Sequence, residues 1–528
     1  MYKQILRHKE AHKGLLKGVN SLADIVGSTM GYGGKTVFID RGFGTEPVST
    51  KDGVTVAVNI RVKDKVENVG VELLKNAARK TVEVAGDGTT QTIILARFLM
   101  NEGSASVLSG VQPHSLKKGF DKGVAKVVES LRLMSEDISG DHEKLVNIAS
   151  ISANNDREIG ELIADAYKQV GKHGKLLIED SPTIDTYTKI VEGFEFDRGF
   201  MHAAFVNVPD KRQVVYNNPQ ILLVDYDVTN VKELFGILGP MVEDGRPIVL
   251  IVKGLEGEAH SSIIVNKTQN NIKIAAVKAP ATYMPECFED LAVITGATVI
   301  GDDNGLKLEH AKPHHIGGCD QIICTDLTTT IVGGKGSKEG IINKASEIQI
   351  MIEKEDREDV KEVHQTRLAR LTASMGVVYV GGVTPIEVKE KMARIDDAVR
   401  ASKSALEEGI VVGGGVALVK CSDALEDLQY DNESERVGVN IIRDMLDEPC
   451  LQILFNAGAS SSYLENMKSG NSLTQGFNVK TMKFANLKEE GIIDPTKVIR
   501  VALQNAASIA GNFVTSDSVL IEREWEEN

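Results

Sequence analysis

The chain has 528 residues, 42% hydrophobic and 26% charged, with a formal net charge of −15 at pH 7. That length exceeds one ordinary core and predicts roughly two to four domains. The acidic balance argues against a nucleic-acid binder, no apolar run approaches bilayer-spanning length, and the N-terminus lacks the apolar region of a secretory signal.

From the N-terminus, His8 and His12 stand at i, i+4 in a lysine-rich helix start and read as solvated surface residues. Leu15, Leu16, Val19, Leu22, Ala23 and Val26 repeat at helical spacing. Lys35-Thr36-Val37-Phe38-Ile39 and Val54-Thr55-Val56-Ala57-Val58 then read as short strands. Two further helices follow, one marked by Val66, Val69, Gly70, Leu73, Leu74 and Ala77, the other by Ile93, Ile94, Leu95, Phe98 and Leu99. Between them lies Asp87-Gly88-Thr89-Thr90. Gly88 permits a tight turn, and the two threonines open a helix whose free N–H groups and dipole favour an anion. Asp87 adds a carboxylate suited to a hard cation such as magnesium. Taken alone, the stretch also fits an ordinary capped helix.

The middle of the chain changes texture. Ile221-Leu222-Leu223-Val224, Ile248-Val249-Leu250-Ile251-Val252 and Ile274-Ala275-Ala276-Val277 read as buried strands, with helices near 231–242 and 261–269. This is an α/β domain with some parallel sheet. From about Lys338 the helical texture returns. The charge run 353–359 reads as a solvated face or a helix junction. The two helical ends are free to pack as one discontinuous domain.

Five cysteines, an odd number without a CxxC pair, predict reduced thiols in a cytosolic compartment. The group His314, His315, Cys319 and Cys324 fits no standard metal-ligand spacing. Thr29-Met30-Gly31-Tyr32-Gly33-Gly34-Lys35-Thr36 nearly matches a phosphate-binding P-loop. Thr29 replaces its first glycine and a helix precedes it, so the P-loop context fails, while a Gly-rich turn still suits close backbone approach to phosphates.

Taken in order, Leu15-Leu16-Lys17-Gly18-Val19, Lys51-Asp52-Gly53, Asp87-Gly88-Thr89-Thr90, Glu256-Gly257-Glu258-Ala259, Ala276-Val277-Lys278-Ala279-Pro280, Gly413-Gly414-Gly415 and Asp494-Pro495-Thr496-Lys497 form a set. That set resembles a group I (bacterial-type) chaperonin, the 60 kDa chaperonin family, over nearly the whole chain. The resemblance implies a multidomain α and α/β architecture. A discontinuous helical equatorial domain would comprise 1–134 and 408–528, a small intermediate hinge domain 135–190 and 376–407, and an α/β apical domain 191–375. It implies ATP-driven folding of non-native polypeptides inside a homo-oligomeric ring of seven subunits in the cytoplasm. Magnesium and potassium are the implied ions, and a small lid co-chaperonin is a further implied partner.

Site roles follow the same resemblance. Thr29, Met30, Gly31 and Tyr32 would line the phosphates, with Lys51 beside them. Asp87 would coordinate magnesium, and Gly88, Thr89, Thr90 and Gln91 would hold phosphate oxygens. Gly414 would lie against the nucleoside, Asn478, Val479 and Lys480 near the base, and Asp494 on the ribose. Thr29, Lys51 and Thr90 match the potassium site. Asp397 would position the attacking water, with Asp52 assisting; without the resemblance, Asp396 and Asp397 read as a solvated helix face. Phe200, Phe205, Phe235, Leu238, Ile264 and Val265 would form the apolar groove for clients. For the phenylalanines, packing within the apical core is an equally weighted reading.

The chain departs from the family pattern at several positions. Tyr32 replaces the usual proline, and Gln91 replaces a third threonine. Ala204 and His260 stand where larger apolar residues are common. Gly193 is kept, but paired hinge glycines become Ala373-Ser374, with Gly376 nearby. Pro385 replaces a glutamate whose usual partner, Arg198, remains. The C-terminus, from Glu522 to Asn528, is acidic and lacks Gly-Met repeats. These departures mark a divergent member, for which a viral lineage, and hence a host cytoplasm, is one reading. Two competing readings are a ring-forming scaffold with degraded ATPase activity and a P-loop or small-molecule kinase. Retention of Asp52, Asp87 and Asp397 opposes the first, and the failed P-loop context opposes the second.

Overall fold

The computed structural model describes residues 2–40, 42, 47–153, 156–171, 174–280, 284–355, 357–372, 374–470 and 472–523. The chain divides into two compact units, residues 1–168 with 382–528, and residues 169–381. Ala373, Asp356 and the tail beyond 523 lie outside the described residues.

The first unit is helical and contains both chain ends. Strand Tyr2–Arg7 pairs antiparallel with Ser518–Arg523, closing the chain on itself. Helix α1 (His8–Gly27) buries Leu15, Val19, Leu22, Ala23 and Val26, the stripe its periodicity predicts. His12 is buried too, which corrects the surface reading. Its ring nitrogens meet Ser104 Oγ at 3.0 Å and the Ser516 carbonyl at 2.9 Å, and the ring packs on Phe513. His8 is exposed and pairs with Asp517 at 2.6 Å. The cause is the pairing of the chain termini, a contact between opposite ends of the sequence.

Helix α2 (Gly53–Asn59) occupies the stretch expected to be a strand. Asp52 caps it, accepting from the Val54 N–H at 3.1 Å, the Thr55 N–H at 2.8 Å and the Thr55 hydroxyl at 2.6 Å. The cap overrides the strand preference of the β-branched run that follows. The other early strand is present as Val37–Ile39, paired with Val48–Thr50. Helices α3 (Lys65–Ala85) and α4 (Thr89–Leu108) follow, with the Asp87-Gly88 turn between them.

The second unit is a mixed ten-stranded sheet with helices. The main strand order is 175–180, 374–380, 187–196, 329–334, 317–324, 220–228, 248–255 and 274–278. Strands Gln220–Val228, Ile248–Leu255 and Ile274–Lys278 are adjacent and parallel, and each buries a near-continuous apolar run. Helices Lys232–Glu243 and Gly257–Thr268 connect them. Gly193 and Gly376 both lie within paired strands, where a side chain would meet Met375 and Leu176 respectively. The charge run falls at a junction, between helices Lys338–Lys354 and Glu358–Leu371.

No helix among the described residues is long and apolar enough to cross a membrane. The five cysteines are buried, and burial pushes the thiols of Cys319, Cys324, Cys421 and Cys450 up to about 12. Among the described residues no His/Cys/Asp/Glu group forms a metal cage, His314, His315, Cys319 and Cys324 included.

Candidate functional site in the helical unit

The site begins at the α3–α4 turn. α3 ends on Gly86 in the left-handed region, and Gly88 at φ 98° caps α4. A side chain at Gly88 would be strained by that φ and would press on Val498 and Thr81. The Gly88 N–H donates to Asp87 Oδ1 at 2.5 Å, which fixes the carboxylate beside the N-terminus of α4. Thr89 is buried, and its hydroxyl has no hydrogen-bond partner. Thr92 closes the turn from below, donating to the Gly88 carbonyl at 2.8 Å.

Three other segments converge on this turn. The first is the start of α2. Gly53 lies so close to Thr90 that any side chain there would strike the Thr90 hydroxyl. Asp52, the α2 cap, is thereby brought beside the turn. The second is helix Pro385–Glu408, which carries Asp397. Ser404 on this helix donates to the Ala85 carbonyl at 2.7 Å, and Arg400 packs against Gly86. The third is strand Ile493–Pro495, which pairs with Ile410–Val412 so that Asp494 stands opposite Val411. Gly413 follows, with its missing side chain leaving room for Asp494 Oδ1.

Electrostatics shows how close these groups are. The Asp87 carboxyl is held above its ordinary range, first by loss of hydration and then by the charge of Asp52; the Gly88 N–H opposes this. Asp397 is pushed up to about 8, first by loss of hydration, then by Asp87, Asp52 and Asp396, with Arg400 opposing. Asp494 is pushed up to about 6 by loss of hydration and by Asp87. The Asp87 and Asp397 side chains keep solvent access. Walls of protein around them nevertheless strip hydration, as in a cleft. Asp87 is the hub: it is felt by both Asp397 and Asp494 and itself feels Asp52. Among the described residues, the Arg400 guanidinium is the cation that opposes the rise at Asp397. Crowded carboxylates with shifted titration and little compensating charge are characteristic of a site that takes cations.

The Thr29–Tyr32 turn follows α1. The Thr29 hydroxyl donates to the Val26 carbonyl at 2.8 Å and the Gly34 N–H to the Gly31 carbonyl at 2.9 Å. A side chain at Gly33 would stand 2.7 Å from the Ala457 backbone. Asn456 pins the turn, donating to the carbonyls of Gly27 at 2.9 Å and Met30 at 2.8 Å. Lys51 is exposed, just ahead of the α2 cap. On the hairpin Gln475–Asn478 with Lys483–Asn486, Asn478 is buried. Its Oδ1 accepts from the Lys480 N–H at 2.8 Å and the Thr481 N–H at 3.3 Å, while its amide donates to Glu490. Val479 packs on the core, Gln91 lies in the first turn of α4, and Gly414 has φ 67°. Sequence reasoning did not find Asn456, Arg400 or Ser404. Their roles are backbone bonds and packing across long sequence separations, which leave no motif.

The described residues supply no all-protein metal cage, but magnesium commonly takes only one or two carboxylates and fills its shell with water and phosphate oxygens. Asp87 beside a helix N-terminus fits that arrangement. Potassium would need oxygen donors. Thr29 and Thr90 carry hydroxyls, whereas Lys51 has only its backbone carbonyl to offer, because its ammonium has no acceptor.

The client residues expected on the second unit divide by exposure. On helix Lys232–Glu243, Leu234, Ile237 and Met241 are buried, Phe235 is 61% exposed and Leu238 is half-buried. On helix Gly257–Thr268, Ala259 and Ile263 are buried, Val265 is 43% exposed and Ile264 is half-buried. Phe200 is half-buried at the sheet edge. Phe205 is fully buried and presents no surface, so for this side chain the core reading holds. Ala204 is half-buried, and the His260 ring lies 5.6 Å from that of His202.

A helical unit built from both chain ends, a mixed-sheet unit between them and an acidic turn at a helix N-terminus define a chaperonin-like architecture. The model of the TCP-1/cpn60 chaperonin family matches residues 22–524, and the chain belongs to that family. Its fold is shared by the chaperonin gp146 from the bacteriophage EL 2 (Pseudomonas aeruginosa), crystallised in the presence of ATP-BeFx. The match has a TM-score of 0.75 to crystal form II and 0.68 to form I. Identity is 22% in each case, over 98% of this chain and 99% of that one.

Proposed function

We propose that this chaperonin is an ATP-driven protein-folding machine whose helical unit binds and hydrolyses ATP. The observation that carries the reading is the gathering of Asp52, Asp87, Asp397 and Asp494 around the glycine-formed N-terminus of α4. In this reading the α4 N–H groups and the Thr29–Tyr32 turn hold phosphate oxygens. Gly414, Asn478, Val479 and Lys480 enclose the nucleoside, and Asp494 accepts from the ribose. Magnesium, when bound at Asp87, supplies charge neutralisation of the phosphates. Asp397 orients the attacking water, assisted by Asp52. Phosphoryl transfer depends on positioning and charge, so a carboxylate delivered by one helix is enough to gate the rate.

Non-native polypeptides bind the exposed apolar residues of the second unit, Phe235 and Val265 first, by burying their own apolar groups. Domain movement then hides that surface. The proposal carries over the division into equatorial, intermediate and apical domains, a seven-membered homo-oligomeric ring, potassium at Thr29, Lys51 and Thr90, a lid co-chaperonin and a cytoplasmic location. The gp146 crystals with ATP-BeFx support nucleotide use by this fold. The test is steady-state phosphate release by the purified protein with ATP and magnesium, in potassium against sodium. Magnesium-dependent turnover stimulated by potassium is expected; no turnover would leave a ring scaffold.

A further inference from the structure

We propose that Tyr32 and Lys480 form a latch across the nucleotide cleft that slows nucleotide release. The inference rests on the nucleotide reading above. The Lys480 ammonium stands 5.8 Å from the centroid of the Tyr32 ring. Each residue sits on a turn whose backbone is held by buried or half-buried amides. Asn456 fixes the Tyr32 turn through the Gly27 and Met30 carbonyls, and Asn478 fixes the Lys480 turn through two backbone N–H groups. The two side chains are solvent-exposed, with Tyr32 at 60%, so the pair is not packed into place by a core. Among the described residues Lys480 has no carboxylate partner, although the chain carries an excess of acidic groups. The ring is therefore its partner.

One turn is assigned to the phosphate end of the nucleotide and the other to the base. A cation–π contact between them joins the two lips of the site. An aromatic face accepts either an ammonium or the flat ring of a base. Here the Tyr32 face takes the Lys480 ammonium. A proline at position 32 offers no such face. The latch is accordingly a property of this chain's own pair.

The experiment is stopped-flow release of a fluorescent mant-ADP from the full-length protein, chased with unlabelled ADP. Lys480→Ala and Tyr32→Leu should each speed release on the order of two- to fivefold, the size of an exposed cation–π contact. Lys480→Arg and Tyr32→Phe should restore slow release, because cation and ring are retained. The double variant Tyr32→Leu/Lys480→Ala should be no faster than either single variant. Wild-type release from Lys480→Ala, or effects that multiply in the double variant, would overturn the latch. Failure of the wild-type protein to bind mant-ADP would overturn the nucleotide reading itself, and this is seen before any variant is made.

Discussion

The acidic turn of the helical unit and the apolar helices of the sheet unit are built on opposite principles. The turn is fixed by backbone: a left-handed Gly88, the Asp52 cap of the adjoining α2 and the Thr92 bond to the Gly88 carbonyl leave little freedom, and charge is forced together inside that frame. The apolar helices present their candidate residues as leftovers of packing. Leu234, Ile237 and Met241 satisfy the core, and Phe235 is what remains outside. A site of the first kind fails when one group is removed. One of the second kind fades as area is lost, at about 25 cal/mol per Å².

The largest expected effect breaks the charged site. Asp87→Ala removes the hub of the carboxylate cluster and should abolish magnesium-dependent nucleotide binding or turnover. A magnesium titration indistinguishable from wild type would remove Asp87 from the metal role. Next, two phenylalanines separate packing from capture. Phe205→Ser, in a fully buried position, should cost about 3–5 kcal/mol of stability in thermal or urea unfolding. Phe235→Ser should leave unfolding nearly unchanged and weaken suppression of aggregation of a denatured test protein several-fold. Equal client capture by wild type and Phe235→Ser would move the groove elsewhere.

A smaller effect is pH-dependent. Asp397 has a folded-state pKa of about 8, raised above its ordinary 3.8. The native state therefore holds a proton that the unfolded chain releases, and this contribution is lost as pH rises through about 8. Asp397→Asn cannot ionise. In nucleotide-free protein without magnesium, it should match wild type at pH values below the ordinary 3.8 and exceed it in melting temperature by a margin that grows until pH reaches about 8. Solvent access keeps the difference small. Parallel melting curves across that pH range would remove the repulsion argument.

The smallest effect concerns coupling between the regions. Pro385 is the first residue of helix Pro385–Glu408, and Thr384 caps that helix by accepting from the Glu387 N–H at 3.2 Å. A glutamate is well tolerated at such a helix start. If Arg198 faces a neighbouring subunit, as the family resemblance implies, Pro385→Glu should restore its carboxylate partner and raise the Hill coefficient for ATP. An unchanged coefficient with assembly intact would place the coupling in another contact.

The two regions were also unequally legible in the sequence. Asp87-Gly88-Thr89-Thr90 was readable because a tight turn between two periodic helices restricts which residues fit. The strands 220–228, 248–255 and 274–278 were readable because burial on both faces leaves continuous apolar runs. Val54–Val58 was misread because β-branched residues signal strand more strongly than one aspartate signals a cap. His12 was misread because its partners, Ser104 and Ser516, lie far along the chain. Phe205 and Phe235 could not be told apart, since a single aromatic residue carries no period. The meeting of Asp52, Asp87, Asp397 and Asp494 is a tertiary event with no spacing of its own.

The central claim is that Asp397 does its work on the bound nucleotide from helix Pro385–Glu408. Single-turnover hydrolysis of bound ATP by Asp397→Ala, with nucleotide affinity and assembly measured on the same sample, tests it most directly. The account predicts normal binding and assembly with hydrolysis slowed on the order of 10–1000-fold. Hydrolysis at the wild-type rate in that variant would contradict it.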